Sequence, residues 1–386
     1  MHPELEQLRC VIMRAGTSKG IFIMKNELPS HPEKRNAVIR AIFGSPDVRQ
    51  IDGLGGADVL TSKLAIISPS SRSDADIDYT FAQVSFESDV VDYKGNCGNI
   101  SSGVGPFAID EGLIQAVEPI TTVRIHQTNI GKIITAQVPV VNGKAAVDGS
   151  LRIDGVPGTG SCITLDFSDT QGSITGKLLP TGNPKNCFEF NGKSYEVSII
   201  DAGNPLVFIK AADLGIKGIE EPNEIEANVS LMQTIEGIRG KVAEYLGLCE
   251  DWNLSVSESP YIPFFAIVGP PQNYKTFNGK NVNKENIDMT SWLLFMQRMH
   301  KTYPGSGTCC TGAAARIKGS IVWEVLRAEA KKRARINIGH PSGIIAVESA
   351  VKVEEGEIKL TKAAFYRTAR RIMEGYVYVR KQIFSD

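Results

Sequence analysis

The sequence predicts an α+β protein made of two related halves. Three observations carry that expectation. Short apolar runs of β character dominate the chain, helical runs interrupt them, and two features recur in the same order in each half. The β-like runs are "CVIMR", "GIFIM", "KLAIIS", "TFAQVSF", "TVRIHQT", "KIITAQVPVV" and "AAVDGSLRID". Their alternation, between Gly, Pro, Asn and Asp breaks, is that of strands joined by turns. The first recurring feature is a Gly-polar turn inside a β pair, "RAGTSKGIFI" (14–23) and "DAGNPLVFI" (201–209). The second is glycine, cysteine, a small polar step and then a helix, in "GNCGNISSGVGPFAI" (95–109) and "SGTCCTGAAARI" (306–317). Two halves of about 190 residues explain both.

The helical runs follow in order. "HPEKRNAVIRAIFG" opens with Pro32 near a helix start and stops at Gly44. "GNISSGVGPFAIDEGLI" continues as a helix despite Gly103, Gly105 and Pro106. Interior glycines each cost about 1 kcal/mol, and close packing is the compensation, so this helix is expected to be buried. Residues 219–248 are charged and helical, "YIPFFAIVG" is a strand, and "NIDMTSWLLFMQRMHKTY" reads as a long helix. "RINIGH", "IIAVESAVKVEEGEIKL" and "AFYRTARRIMEGYVYVR" return to strand character. The expected division is 1–185, with the C-terminal segment 375–386 a candidate to complete it, and 186–374 with a helical insertion at about 219–248.

The chain has 386 residues, 42% hydrophobic and 22% charged, the balance of a soluble globular protein. A formal net charge of -1 argues against a nucleic-acid binder, which shows a basic face. No run approaches the roughly 18 apolar residues of a membrane span, and "MHPELEQLRC" lacks a signal-peptide core. Seven cysteines, with no CxxC pair and no zinc-ligand spacing to the five histidines, predict a reduced cytoplasmic protein without a metal site. Cys10, Cys162, Cys187 and Cys249 read as buried hydrophobes. His126 and His300, in strand-like and helix-like runs, read as structural.

Cys97 and Cys309 are expected at helix starts. The first helical N–H groups have no intrahelical partners, and the positive end of the dipole favours a thiolate. Those groups can also hold a substrate carboxylate. If the halves are related by a pseudo-twofold axis, two helix starts face a cleft suited to proton abstraction beside a carboxylate. Small residues around Cys97, including Gly98 and Asn99, would let a ligand approach the backbone. Only one of Cys309 and Cys310 is expected to face the cleft, with Thr311 and Gly312 following. Lys63 stands at the mouth of an apolar strand: facing the core it requires a partner or a depressed pKa, and facing solvent it is ordinary. Arg14, Gly16, Thr17, Ser18 and Lys19 form a Gly-bounded turn that reads either as an anion nest or as a polar hairpin tip. His340, before the Pro-Ser-Gly turn that contains Ser342, is a candidate carboxylate donor.

"VIMRAGTSKGIFI", "GSPDVRQIDGLGGADVLTSKLAII", "YKGNCGNISSGVGPFAIDEGLI", "CCTGAAARI" and "RTARRIMEGYVYV" resemble the isomerases of unsaturated di- and tricarboxylates. These are the methylitaconate Δ-isomerase, 2-methylaconitate isomerase and 4-oxalomesaconate tautomerase family, and the likeness runs from about residue 8 to 380. It implies a fold similar to diaminopimelate epimerase: two halves, each a curled β-sheet around a central helix, with the site in the cleft between them. It further implies proton transfer without a cofactor, with Lys63 and Cys97 as the catalytic pair, and methylitaconate Δ-isomerase as the nearest activity. The expected partner is a small anionic carboxylate, with room for a homo-oligomer. Other readings stay open at this point. They are a 2-methylaconitate or aconitate isomerase, an oxalomesaconate tautomerase, a two-thiol epimerase or racemase using Cys97 and Cys309, and a non-catalytic accessory protein to an aconitase-type dehydratase.

Overall fold

A computed structural model describes residues 2–385. In chain order the elements are β1 (Leu5–Ala15), β2 (Ser18–Met24), α1 (Pro32–Phe43), β3 (Lys63–Pro69), β4 (Ile77–Val84), β5 (Val91–Asp92), α2 (Gly98–Asp110), β6 (Ile120–Gln127), β7 (Lys132–Val141), β8 (Lys144–Ala145) and β9 (Ile163–Asp166). They continue with β10 (Asn186–Phe190), β11 (Lys193–Ala202), β12 (Asn204–Lys210), α3 (Pro222–Ala227), α4 (Val229–Tyr245), α5 (Ser255–Glu258), β13 (Phe264–Gly269), β14 (Tyr274–Lys275), β15 (Asn281–Val282), β16 (Met289–Phe295) and β17 (Arg298–Met299). The last are α6 (Gly305–Ala314), α7 (Ile321–Val325), β18 (Arg335–His340), β19 (Gly343–Glu354), β20 (Glu357–Arg367), β21 (Ala369–Arg380) and α8 (Gln382–Ser385).

The chain divides into two compact units. The first holds the segment through Arg152, Gly158–Thr164 and the segment from Arg367 onward; the second holds Ile153–Pro157 and Leu165–Tyr366. Each follows one topology. In the first, β1 and β2 form a hairpin, β2 runs parallel to β3, β3 antiparallel to β4, β4 parallel to β6, and β6 antiparallel to β7. In the second, β11 and β12, β12 and β13, β13 and β16, β16 and β18, and β18 and β19 repeat those pairings in the same senses. The short strand β5 precedes α2, as β17 precedes α6. β21 pairs with β1 from Ala15↔Ala369 to Leu5↔Arg380, so the chain's last strand belongs to the first sheet.

Helices cover both faces of the first sheet, which explains why its strands read as continuous apolar runs. On one face α1 buries Val38, Ile39, Ile42 and Phe43 against Leu8, Ile21, Ile23 and Leu64. On the other lies α2, in which every residue from Gly98 to Ile109 is buried. A Cβ on Gly103 would come within 2.6 Å of the Phe22 ring, and one on Gly105 within 2.7 Å of Val138. The glycines that weaken this helix therefore let it sit inside the curved sheet. In the second unit α6 packs on β11, β12 and β19. The opposite face is covered by α4, whose Leu231, Ile235, Ile238 and Val242 meet Val207, Ile209, Phe265 and Trp292.

Several sequence expectations are corrected. The run expected as one long helix is the hairpin β16–β17, turned by Met296 and Gln297 at φ 51° and 54°. Those residues are unusual at positive φ, and the fully buried strand "MTSWLLF" has no alternation to betray it. Of "AAVDGSLRID", only Ala145, at the end of β8, and a single bridge from Leu151 to Gly160 have β pairing. Cys162 and Cys187 are exposed. Cys187 sits in β10, which has no buried residue, so its apolar character does not bury it. Cys309 is not at a helix start: α6 begins at Gly305, with Pro304 as its cap.

Candidate active site

Lys63 is the first residue of β3, paired with Gly20 of β2 on one side and Gln83 of β4 on the other. Paired residues share a face of the sheet, and a Cβ on Gly20 would meet Ile100 of α2 at 2.8 Å. Lys63 therefore projects to the face that carries α2. Its side chain is 2% exposed. The amine donates to Gln83 Oε1 at 2.7 Å and lies 5.3 Å from the centre of the Phe81 ring. The Cys97 side chain hydrogen-bonds with it. Burial lowers the lysine pKa below its ordinary value, while Cys97, and more weakly Asp58, oppose that fall.

Cys97 caps α2 in an extended conformation, and its carbonyl receives both the backbone N–H and the hydroxyl of Ser101, each at 2.9 Å. The Cys97 side chain makes no capping bond to the first N–H groups of the helix. Beneath this turn lies Tyr79, fully buried near Ser101. Burial and the neighbouring Cys97 push its pKa well up, keeping the phenol neutral.

The β1–β2 hairpin tip is fastened to the same helix start. Gly16 has φ +54°, and a Cβ there would fall 2.2 Å from Asn99 Oδ1. Asn99 Nδ2 donates to Thr17 Oγ1 at 3.1 Å, while its Oδ1 accepts from Arg367 Nε at 2.8 Å. Arg367 is 3% exposed. Ser18, paired with Ala15 on the α2 face, is 2% exposed, and its hydroxyl has no protein partner among the described residues. Lys63, Cys97, Gly98, Asn99, Gly16, Thr17 and Ser18 thus come together in the first unit.

Arg14 and Lys19 are placed differently. They are register partners one residue removed from Met13 and Gly20, so they leave the sheet on the face opposite Lys63. Arg14 bonds to the Thr368 hydroxyl at 2.8 Å and to its carbonyl, and burial beside Arg370 lowers its pKa to about 10, which leaves it cationic at neutrality. Cys309, Cys310, Thr311 and Gly312 lie within α6 in the second unit. The two thiols donate to the carbonyls of Ala363 (3.5 Å) and Ile200 (3.3 Å), and burial pushes Cys310 well above the ordinary thiol pKa. Thr311 bonds back to Gly307 at 2.8 Å, and Gly312 packs on Val347. His340 ends β18 and accepts the Ser342 N–H at Nδ1 (3.2 Å), while Ser342 Oγ bonds to Lys301 O at 2.6 Å.

Sequence reasoning missed Gln83, Tyr79, Ser101 and Arg367. Gln83 and Tyr79 sit in the apolar strand β4, where Gln83 is singled out only by its register with Lys63 and Tyr79, which pairs with Ile67, only by its place beneath the start of α2. Arg367 lay inside the family-like run "RTARRIMEGYVYV", but nothing linked it to Asn99. Among the described residues, no group of three His, Cys, Asp or Glu could hold a metal, and no helix is long and apolar enough to cross a membrane.

The family model described as "PrpF protein" matches residues 5–380. The chain belongs to the PrpF family. Among PrpF relatives it is 53% identical to the 3-methylitaconate isomerase of Eubacterium barkeri over 97% of this chain and 98% of that protein. It is 39% identical to the 4-oxalomesaconate tautomerase of Pseudomonas putida over 98% of each. A crystal structure of methylitaconate-delta-isomerase superposes with a TM-score of 0.80 at 52% identity, covering 98% of this chain and 97% of that one. A hydroxyproline epimerase from Agrobacterium vitis shares the fold alone: TM-score 0.59 at 11% identity, over 97% of this chain and 93% of that one. The fold is thus the diaminopimelate-epimerase-like α+β type that the sequence predicted.

Proposed function

We propose that this PrpF chain is an isomerase that shifts a C=C bond by 1,3-allylic proton transfer in a small unsaturated dicarboxylate, converting methylitaconate to dimethylmaleate. Meeting of the Lys63 amine and the Cys97 thiol at the start of a buried helix carries this reading. The identity to 3-methylitaconate isomerase supports the choice of substrate.

In this scheme the acidic C–H lies between a carboxylate and an alkene. Its removal leaves a dienolate whose charge spreads over the allyl unit and the carboxylate. Return of a proton at the far end of the allyl unit moves the double bond. Lys63 and Cys97 supply the acid–base groups. The lowered lysine pKa raises the fraction of free amine available to take a proton at neutral pH. The uncapped N–H groups of α2 and the unsatisfied Ser18 hydroxyl receive a carboxylate. Leaving a buried hydroxyl unmet costs about 1–3 kcal/mol, a cost that the bound substrate removes.

The position of Cys309 favours this scheme over a two-thiol epimerase, because its sulfur is spent on a backbone carbonyl in mid-helix. The test is turnover of purified protein on methylitaconate, 2-methylaconitate, aconitate and 4-oxalomesaconate, followed by ultraviolet absorbance of the conjugated product. Fastest turnover of methylitaconate is expected. A preference for 4-oxalomesaconate would reassign the substrate, and no turnover on any of them would reject the proposal in favour of an accessory role.

A further inference from the structure

The segment between α1 and β3 holds the part of the family-like run that precedes Lys63, yet none of its side chains has a part in the proton transfer above. It is wrapped around one buried amide. Gln50, 1% exposed, accepts from Ala57 N at 2.8 Å and Ser62 Oγ at 2.7 Å, and donates to Ser45 Oγ at 2.9 Å. Gly55 lies so close that a Cβ would fall 2.2 Å from the Gln50 amide. A second buried amide closes this segment onto the sheet. Gln83, also 1% exposed, donates from Nε2 to Ser62 O at 3.0 Å and Val59 O at 3.3 Å. Carbonyl oxygens only accept, so these two bonds fix the amide's orientation and turn Oε1 toward an N–H of the Lys63 amine. The resulting contact is 2.7 Å.

We propose that Gln83 is the positioning residue of the proton-transfer site: it aims the Lys63 amine and sets its protonation, and it couples both to the 50–62 segment. This rests on the reading of Lys63 as an acid–base group. The lysine nitrogen is tetrahedral. Cε takes one vertex and Gln83 Oε1, at 2.7 Å, a second. The bond to Gln83 Oε1 holds the amine's orientation against the sheet. Because its oxygen only accepts, Gln83 also favours the charged form of Lys63 and works against desolvation.

The test compares Gln83→Met, which removes the acceptor at similar length, with Gln83→Glu, which keeps an acceptor and adds charge. Both are assayed in the full chain across pH, with melting temperature as a check on folding. Gln83→Met is expected to lower kcat about 10- to 100-fold with KM little changed. The limb of the pH profile governed by Lys63 should move to lower pH in Gln83→Met and to higher pH in Gln83→Glu. Opposite displacements distinguish positioning from a merely structural role. A limb unmoved in either folded variant, or moved the same way in both, overturns the assignment; so does a loss confined to KM. Should Lys63→Ala retain full turnover, the catalytic reading itself fails. An inactive Lys63→Ala with an unmoved limb in the Gln83 variants sinks only the role of Gln83.

Discussion

At the start of α2 the cap residue is Cys97, and the strand that corresponds in topology, β3, opens with Lys63. At the start of α6 the cap is Pro304, and the corresponding strand β13 opens with Phe264. Both units fasten a hairpin tip to the helix start through a glycine at positive φ. Gly16 meets Asn99 in the first, and in the second Gly203, at φ +84°, lies beside Asn204, which donates to Ser306 Oγ at 2.8 Å. Around Phe264 stand Tyr261 and Phe295, with ring centres 5.2 and 5.5 Å away. One repeated frame therefore carries the proposed acid–base pair in one copy and an aromatic core in the other. The difference lies in a few side chains at equivalent places.

Removing the pair should have the largest effect. Lys63→Ala and Cys97→Ser are each expected to lower kcat/KM by about 10³-fold, within the usual range for a positioned acid or base, with the melting temperature retained. Wild-type turnover from either folded variant would break the contrast between the units. Next comes the fastening of the hairpin tip. Asn99→Ala releases Thr17 and Arg367 together, and steady-state kinetics should show kcat/KM lowered by about 10²-fold through lost orientation. Ser306→Ala, the matching change in the second unit, should cost about 1 kcal/mol of stability, read from urea unfolding. If Asn99→Ala were kinetically silent, the first tip would be as purely structural as the second.

A smaller effect concerns pH and stability. The folded state holds Lys63 at a pKa below its ordinary 10.5. Between that lowered value and 10.5 the unfolded chain binds more protons, so the contribution of Lys63 to stability rises with pH through that window. Below it the penalty for burying the charge is fully felt. Lys63→Met should therefore stabilise the protein at neutral pH, and the gain should shrink as the buffer approaches pH 10.5. Chemical denaturation at several pH values measures this, and a pH-independent difference would sink it.

The smallest effect is expected in the second helix. Cys309→Ser should leave kcat/KM within about threefold of wild type, as expected for a group outside the chemistry; abolished activity with intact folding would restore the two-thiol scheme. Native alkylation followed by mass spectrometry adds a check. The exposed Cys162 and Cys187 should react first without loss of turnover, and the buried Cys309 and Cys310 only on unfolding.

The sequence by itself determined the two-part α+β plan, the buried glycine-rich helix after Cys97, and the strand that begins at Lys63. Each of these is written locally, in periodicity, in turn residues, or in glycines that only close packing explains. It could not show that "SWLLF" is a strand, because a strand covered on both faces and a buried helix present the same unbroken apolar run. Local pattern could not separate Cys97 from Cys309 either, because each stands two residues after a glycine in a run that reads as a helix start, and only the cap position distinguishes them. Tertiary structure decided which residues surround the amine. Gln83 reaches Lys63 by strand register, Arg367 reaches Asn99 across 268 positions of chain, and Arg14 leaves the opposite face because successive strand residues alternate. Contacts of that kind depend on sheet pairing between distant segments, which no local pattern encodes.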